Sequence, residues 1–351
     1  MQPFGFLDDD FNQREELAHA VGFIRSLECR LIGRDAFRQA ISEREIGRAW
    51  EVLREASDGG YENPGERGFS PKGVETAASR RLAQAIRDVA SVTPHERVAL
   101  YFAVGYDFQN LKALLRRELL GEALPLELSP AGFVEPESLV LALGGDSSAK
   151  VPLLYQRALS EARSRAVSEG GPAFLDLLLD RQMFSFLFQE LRGECAFLKR
   201  LFGARADLTN LSAFIRLRAR GEGTRLSSEE LFVEGGALSR ERLSELWLSP
   251  LEALQAAFAG SIYREFMEEG LRALKEGEAH AQGFGLLDKL RDDYIMAVAT
   301  PGRYVAFGPE PLAAFLVAVE AEVTNVRLIM AGKGAGLPPA EITPLLRDTY
   351  V

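Results

Sequence analysis

Three stretches of this chain carry the same polar signature inside an apolar helical frame, and that recurrence limits the possible folds more than any other feature. They read YDFQNLKALLRREL from Tyr106, ADLTNLSAFIRLRARG from Ala206 and AEVTNVRLIMAGKGAG from Ala321. Each holds an acid, two residues, then an asparagine before an apolar residue: Asp107 with Asn110, Asp207 with Asn210, Glu322 with Asn325. Downstream of each comes a glycine with a glutamate five residues later, at Gly132 and Glu137, Gly236 and Glu241, Gly336 and Glu341. The acids are separated by 100 and 115 residues, the glycines by 104 and 100. Two independent features on nearly one period mark a threefold internal repeat. Units of this size exceed a solenoid module. They predict three small helical bundles over residues 1–125, 126–230 and 231–351, either stacked or set about a pseudo-threefold axis.

The frame itself is helical. Apolar residues recur at three- and four-residue steps and no stretch alternates for long, which predicts an all-α fold. One seam runs Phe174, Leu177, Phe184, Phe188, Leu191, Cys195, Leu198, Phe202, and another Leu312, Phe315, Val319, Val323, Val326, Met330. Each reads as one long helix with a single apolar stripe to be buried against neighbours. Gly, Pro and Asp clusters at residues 57–73, 125–150, 221–224 and 307–311 read as connecting loops.

At 351 residues, 47% hydrophobic and 26% charged, the chain has the composition of a folded protein with a sizeable core. Its longest run free of Asp, Glu, Lys and Arg, Ala253 to Tyr263, is too short for a spanning helix. The opening MQPFGFLDDDF carries acids where a secretory signal carries bases, so a cytoplasmic location is expected. With 41 Lys plus Arg against 51 Asp plus Glu, a net charge of -10 disfavours nucleic acid and points to a protein partner. It also leads us to expect acids concentrated where a more basic partner enters. Cys29 and Cys195 stand alone in apolar helical sequence and read as buried thiols.

Little here suggests chemistry. An acid and an asparagine three apart share a helix face, and a repeated metal or catalytic site is one reading. The preferred one is structural, with each asparagine bonding a neighbour at the same place in every repeat, because no His or Cys accompanies any pair. Arg116 and Arg216, nine residues beyond Asp107 and Asp207, are too far along a helix to pair with them. His19, His95 and His280 are scattered without metal-ligand spacing. GGDSSAK and GKGAG fail the phosphate-loop spacing. The adjacent acids Asp292 and Asp293, and Glu229 and Glu230, point apart on a helix and read as solvated. No catalytic, cofactor or metal residue is expected, and the chain reads as non-catalytic.

The terminal block EAEVTNVRLIMAGKGAGLPPAEITPLLRDTYV, with YDFQNLKALLRREL, ADLTNLSAFIRLRARG and the N-terminal FIRSLECRLIGRDAFRQAI, resembles the C subunit of the archaeal and bacterial V/A-type ATPase or ATP synthase, the counterpart of the d subunit of the eukaryotic V-ATPase. The resemblance implies an all-helical funnel of three similar domains with pseudo-threefold symmetry. It implies a non-catalytic socket joining central stalk subunits to the membrane rotor ring, transmitting torque for ion transport at the cytoplasmic face, with no cofactor and no span of its own. It assigns Asp107, Asn110, Asp207, Asn210, Glu322 and Asn325 only a structural role. An unrelated cytosolic helical protein-binding scaffold is the alternative.

Overall fold

Helix succeeds helix through the described residues. The computed structural model describes residues 17–61, 70–93, 97–121, 126–146, 149–169, 171–219, 232–247, 249–276 and 281–351, and no strand occurs among them. The elements in order are α1 (Ala18–Glu28), α2 (Arg34–Ser42), α3 (Ile46–Ala56), α4 (Pro71–Val92), α5 (Val98–Leu120), α6 (Pro136–Leu143), α7 (Leu153–Glu169) and α8 (Gly171–Glu190). There follow α9 (Ala196–Ala219), α10 (Arg240–Trp247), α11 (Leu251–Phe258), α12 (Arg264–Glu276), α13 (Ala281–Ala299), α14 (Glu310–Gly334) and α15 (Pro339–Ile342). No helix among the described residues is long and apolar enough to cross a membrane.

Local chemistry sets several of these boundaries. Ser70 accepts from the Gly73 amide at 3.0 Å and Pro71 occupies the first turn, so α4 begins with a filled cap. At its far end α14 closes on Gly336, whose φ of +73° lets Leu337 N donate to Gly332 O at 2.9 Å and Gly336 N to Lys333 O at 3.0 Å. That pair of bonds satisfies carbonyls a helix otherwise leaves open.

The first apolar seam is not one helix. It splits into α8 and α9 at the tight turn Leu191–Gly193, where Gly193 and the extended Glu194 reset the direction before the periodicity resumes. The second seam is a single helix, α14, but it has no solvent face over its first half, since every residue from Glu310 to Val319 is buried. Its neighbours explain this: α1, α2, α3, α4, α5, α9 and α13 all pack on it. A helix apolar all round belongs inside a bundle, and α14 is the central post of this one.

Cys29 also differs from expectation. It ends α1 in an exposed position, its Sγ 3.5 Å from Arg25 O, while Cys195 is half-buried and its thiol is pushed up to about 11 chiefly by burial. The chain's first sixteen residues, His95, His280, Glu229 and Glu230, residues 62–69 and 221–224, and the expected boundary at 230/231 lie outside the described residues.

Candidate functional site: three carboxylate clamps around a central cavity

The repeated acid and asparagine sit on α5, α9 and α14, one pair per helix. On α5, Asp107 is fully buried and accepts from Phe133 N at 3.0 Å, Val134 N at 3.1 Å and the Tyr155 hydroxyl at 2.8 Å. On α9, Asp207 accepts from Ala237 N at 2.8 Å, Leu238 N at 3.0 Å and the Tyr263 hydroxyl at 2.7 Å. In each case a carboxylate that must leave water is met by three donors, which is how such a group is tolerated inside. The asparagine one turn on completes the clamp. Asn110 donates to Ser129 O at 2.9 Å and accepts from Ser129 N at 2.7 Å; Asn210 does the same with Val233, at 2.8 and 2.9 Å.

The glycine of the repeat has a steric reason. A Cβ on Gly132 would fall 2.0 Å from Asp107 Oδ1, and one on Gly236 1.9 Å from Asp207 Oδ1. Only a glycine lets the following loop lie flat against the acid.

The third clamp is built differently. Asn325 holds Arg347, donating to its O at 3.1 Å and accepting from its N at 2.8 Å. Glu322, however, takes its donors from the other end of the chain: Ile32 N at 2.8 Å, the Tyr61 hydroxyl at 3.2 Å and Arg81 Nε at 3.1 Å. Gly336 plays no part in it. It caps α14, and the shared spacing of the third glycine has a different cause from that of the first two.

Burial pushes the Asp107 carboxyl up to about 6, against the opposing pull of Tyr155 and the two amides. The tyrosines respond in kind: burial first, then the adjacent carboxylate, raises Tyr155 and Tyr263. Tyr61 is raised well above its ordinary value by the same causes. All three therefore stay as hydrogen-bond donors at neutral pH.

Removing one of these contacts has a defined cost. Asn210→Leu leaves the Val233 amide and carbonyl buried without partners, and is expected to lower the unfolding free energy by about 1 to 3 kcal/mol in urea titrations. A variant as stable as the parent would refute the clamp.

α5, α9 and α14 also turn a common face to a cavity of about 770 Å³. Residues at the same offset from each acid line it: Gly105, Arg205 and Glu320 two before, Gln109, Thr209 and Thr324 two after. Both threonine hydroxyls bond back to the carbonyl four residues earlier at 2.8 Å, Thr209 to Arg205 O and Thr324 to Glu320 O. At the centre Glu320 ties the three helices together, accepting from Tyr106 of α5 at 2.8 Å and from Arg205 of α9 at 2.5 Å.

Acids do not predominate in the lining of this cavity. Six basic and five acidic side chains line the cavity, and they are paired with one another: Lys112 with Asp180 at 2.5 Å, Arg116 with Asp176, Arg216 with Asp288 at 2.8 Å, Arg347 and Arg291 each with Asp292 at 3.0 Å. The excess negative charge of the chain lies elsewhere. Arg116 and Arg216, too far from their own repeat's acid, reach aspartates on α8 and α13, Asp176 and Asp288. Asp292 and Asp293 are likewise not solvated, since Arg347 holds the first and Lys289 and the Asp348 amide hold the second. Among the described residues no group of His, Cys, Asp or Glu is placed to hold a metal.

The profile of the family described as ATP synthase (C/AC39) subunit matches residues 20–345. The C subunit of the V-type sodium ATPase of Enterococcus hirae is 25% identical over 339 residues, covering 93% of this chain and 97% of that one. The C subunit of the A-type ATP synthase of Haloferax volcanii is 26% identical over 341 residues, covering 92% and 95%, and that of Methanocaldococcus jannaschii 25% over 298, covering 79% and 72%.

Proposed function

Since the chain belongs to the ATP synthase (C/AC39) subunit family, we propose that it is the non-catalytic adaptor of a V/A-type ATPase, seating central stalk subunits on the membrane rotor ring and transmitting torque for ion transport. The observation that carries this reading is the cavity bounded by the same face of three repeated helices, with its charged side chains already committed to one another. A catalytic cleft keeps polar groups poised for a substrate. This one spends them on fastening its own walls, which suits a part that must hold its shape under load. In this reading Asp107, Asn110, Asp207, Asn210, Glu322 and Asn325 stiffen three similar units arranged with pseudo-threefold symmetry as a funnel at the cytoplasmic face. The bonds of Glu322 favour grouping Ile32, Tyr61 and Arg81 with the last unit.

The test is reconstitution. ATPase depleted of this chain is expected to retain ATP hydrolysis by its soluble head but lose ATP-driven ion uptake into vesicles, and adding the purified chain back is expected to restore uptake. Isolation with other partners, together with undiminished ion uptake in its absence, would overturn the adaptor reading in favour of an unrelated scaffold.

A further inference from the structure

The block α5–α8 is tied together from within. Its four helices pack chiefly on one another, and Phe133, Val134 and Tyr155, which hold Asp107, all belong to it. The chain enters the block at Arg97, just before α5, and leaves it through the turn Leu191–Gly193. These two crossings are fastened side by side. Arg97 pairs with Glu190, and the Tyr101 hydroxyl is bonded to Glu194 Oε1 at 2.7 Å and lies 3.4 Å from Glu190 O. Beside them the contact with α9 is made by rings: Phe202 meets Tyr101 at 5.9 Å and Phe102 at 5.6 Å, both edge-on. Apolar contact is non-directional, so it survives a small rotation that would break a directed bond. Farther along α5 the Tyr106 hydroxyl reaches Glu320 of α14 at 2.8 Å. Past that point polar side chains of α5 turn back into their own block, Asn110 to Ser129, Lys112 to Asp180, Arg116 to Asp176 and Glu118 to Arg163. There the cavity of about 770 Å³ lies between α5 and α8 on one side and α9, α13 and α14 on the other.

We propose that α5–α8 is a hinged jaw, which swings as one body about the paired crossings at Arg97 and Leu191–Gly193, and that the Tyr106–Glu320 bond is the latch holding it closed on the cavity. Two chain crossings held together define an axis, and a few residues at the ends of helices absorb the turn. Opening strands no charge, because Glu320 keeps its bond to Arg205 of α9 when Tyr106 lets go. The lever is long. At about 1.5 Å per residue, Tyr106 lies about 8 Å along α5 from Tyr101 and Leu120 about 28 Å, so parting the latch by about 2 Å moves the far end by about 7 Å. A jaw of this kind admits an element into the cavity and then closes on it. That the element is the foot of the stalk rests on the adaptor reading; the hinge rests on the contacts of this chain alone.

Distances between spin labels on the full chain, free of partners and with Cys29 and Cys195 replaced by serine, test the hinge. Labels at Leu120→Cys and Ala331→Cys, both exposed, report the far end of the block against α14, and labels at Leu120→Cys and Ser185→Cys report the block against itself. Tyr106→Phe is expected to add a population in which the first distance is longer by about 7 Å and to leave the second distance unchanged. Glu320→Ala removes the acceptor from the other side of the latch and is expected to lengthen the first distance as well, which keeps the test open should Y106F fail to fold. A first distance that stays at the parent value in the folded variants, or a second distance that shifts as far as the first, would overturn the hinge. Failure of reconstitution beside a first distance that lengthens would count against the adaptor reading alone.

Discussion

Gly236→Ala is expected to destabilise the protein by about 3 kcal/mol, a large effect for one methyl group. The added carbon would lie 1.9 Å from Asp207 Oδ1 and 2.3 Å from its Cγ, so the loop must lift from α9. Lifting it breaks the Ala237 and Leu238 bonds and leaves a buried carboxylate with Tyr263 alone. Gly132→Ala is expected to behave alike, with its Cβ 2.0 Å from Asp107 Oδ1. Gly336→Ala provides the contrast. No atom lies within 4 Å of its Cβ, so only the left-handed φ of +73° opposes it, at about 1 kcal/mol. Denaturant unfolding of the three variants checks the ranking, and equal losses at Gly236 and Gly336 would contradict it.

Arg81→Met is expected to cost about 3 to 5 kcal/mol, because it strands Glu322 as an uncompensated buried charge. The Ile32 amide and Tyr61 hydroxyl remain, but neither neutralises it. Adding Glu322→Gln to the same chain removes the stranded charge and is expected to recover part of the loss, a coupling that a double-mutant cycle measures. Trp50, edge-on to Tyr61 at 5.9 Å, offers a fluorescence signal beside the site. Additive losses would show that Arg81 and Glu322 act independently.

The sequence made the six clamp residues visible because they share one local spacing on helices whose period is itself legible. Gly132 and Gly236 were visible for the same reason, and Gly336 shared the spacing while capping a helix end. The partners were hidden. Ser129, Val233 and Arg347 are held through their backbones, so their side chains carry no common signature. Tyr155 and Tyr263 follow their acids by 48 and 56 residues, an offset loose enough to escape notice, though a tyrosine recurring after each acid was the available signal. Arg81, Tyr61 and Ile32 precede Glu322, where a search for a tandem repeat does not look. The break between α8 and α9 was masked by an apolar periodicity that continues in phase across Leu191–Gly193.

The reach of the third clamp sets an order of events during synthesis. Asp107 and Asp207 find every donor within 56 residues downstream, so each of those loops can dock soon after it leaves the ribosome. The Ile32 amide waits 290 residues for its acceptor, and Arg81 waits 241. Until α14 emerges, the faces of α1 to α4 that pack on it stay open, and the Arg81 guanidinium lacks its carboxylate. The face that α1 to α4 turn to α14 is thus completed late, and chaperone binding to the N-terminal end of the nascent chain is expected to persist until α14 has left the ribosome.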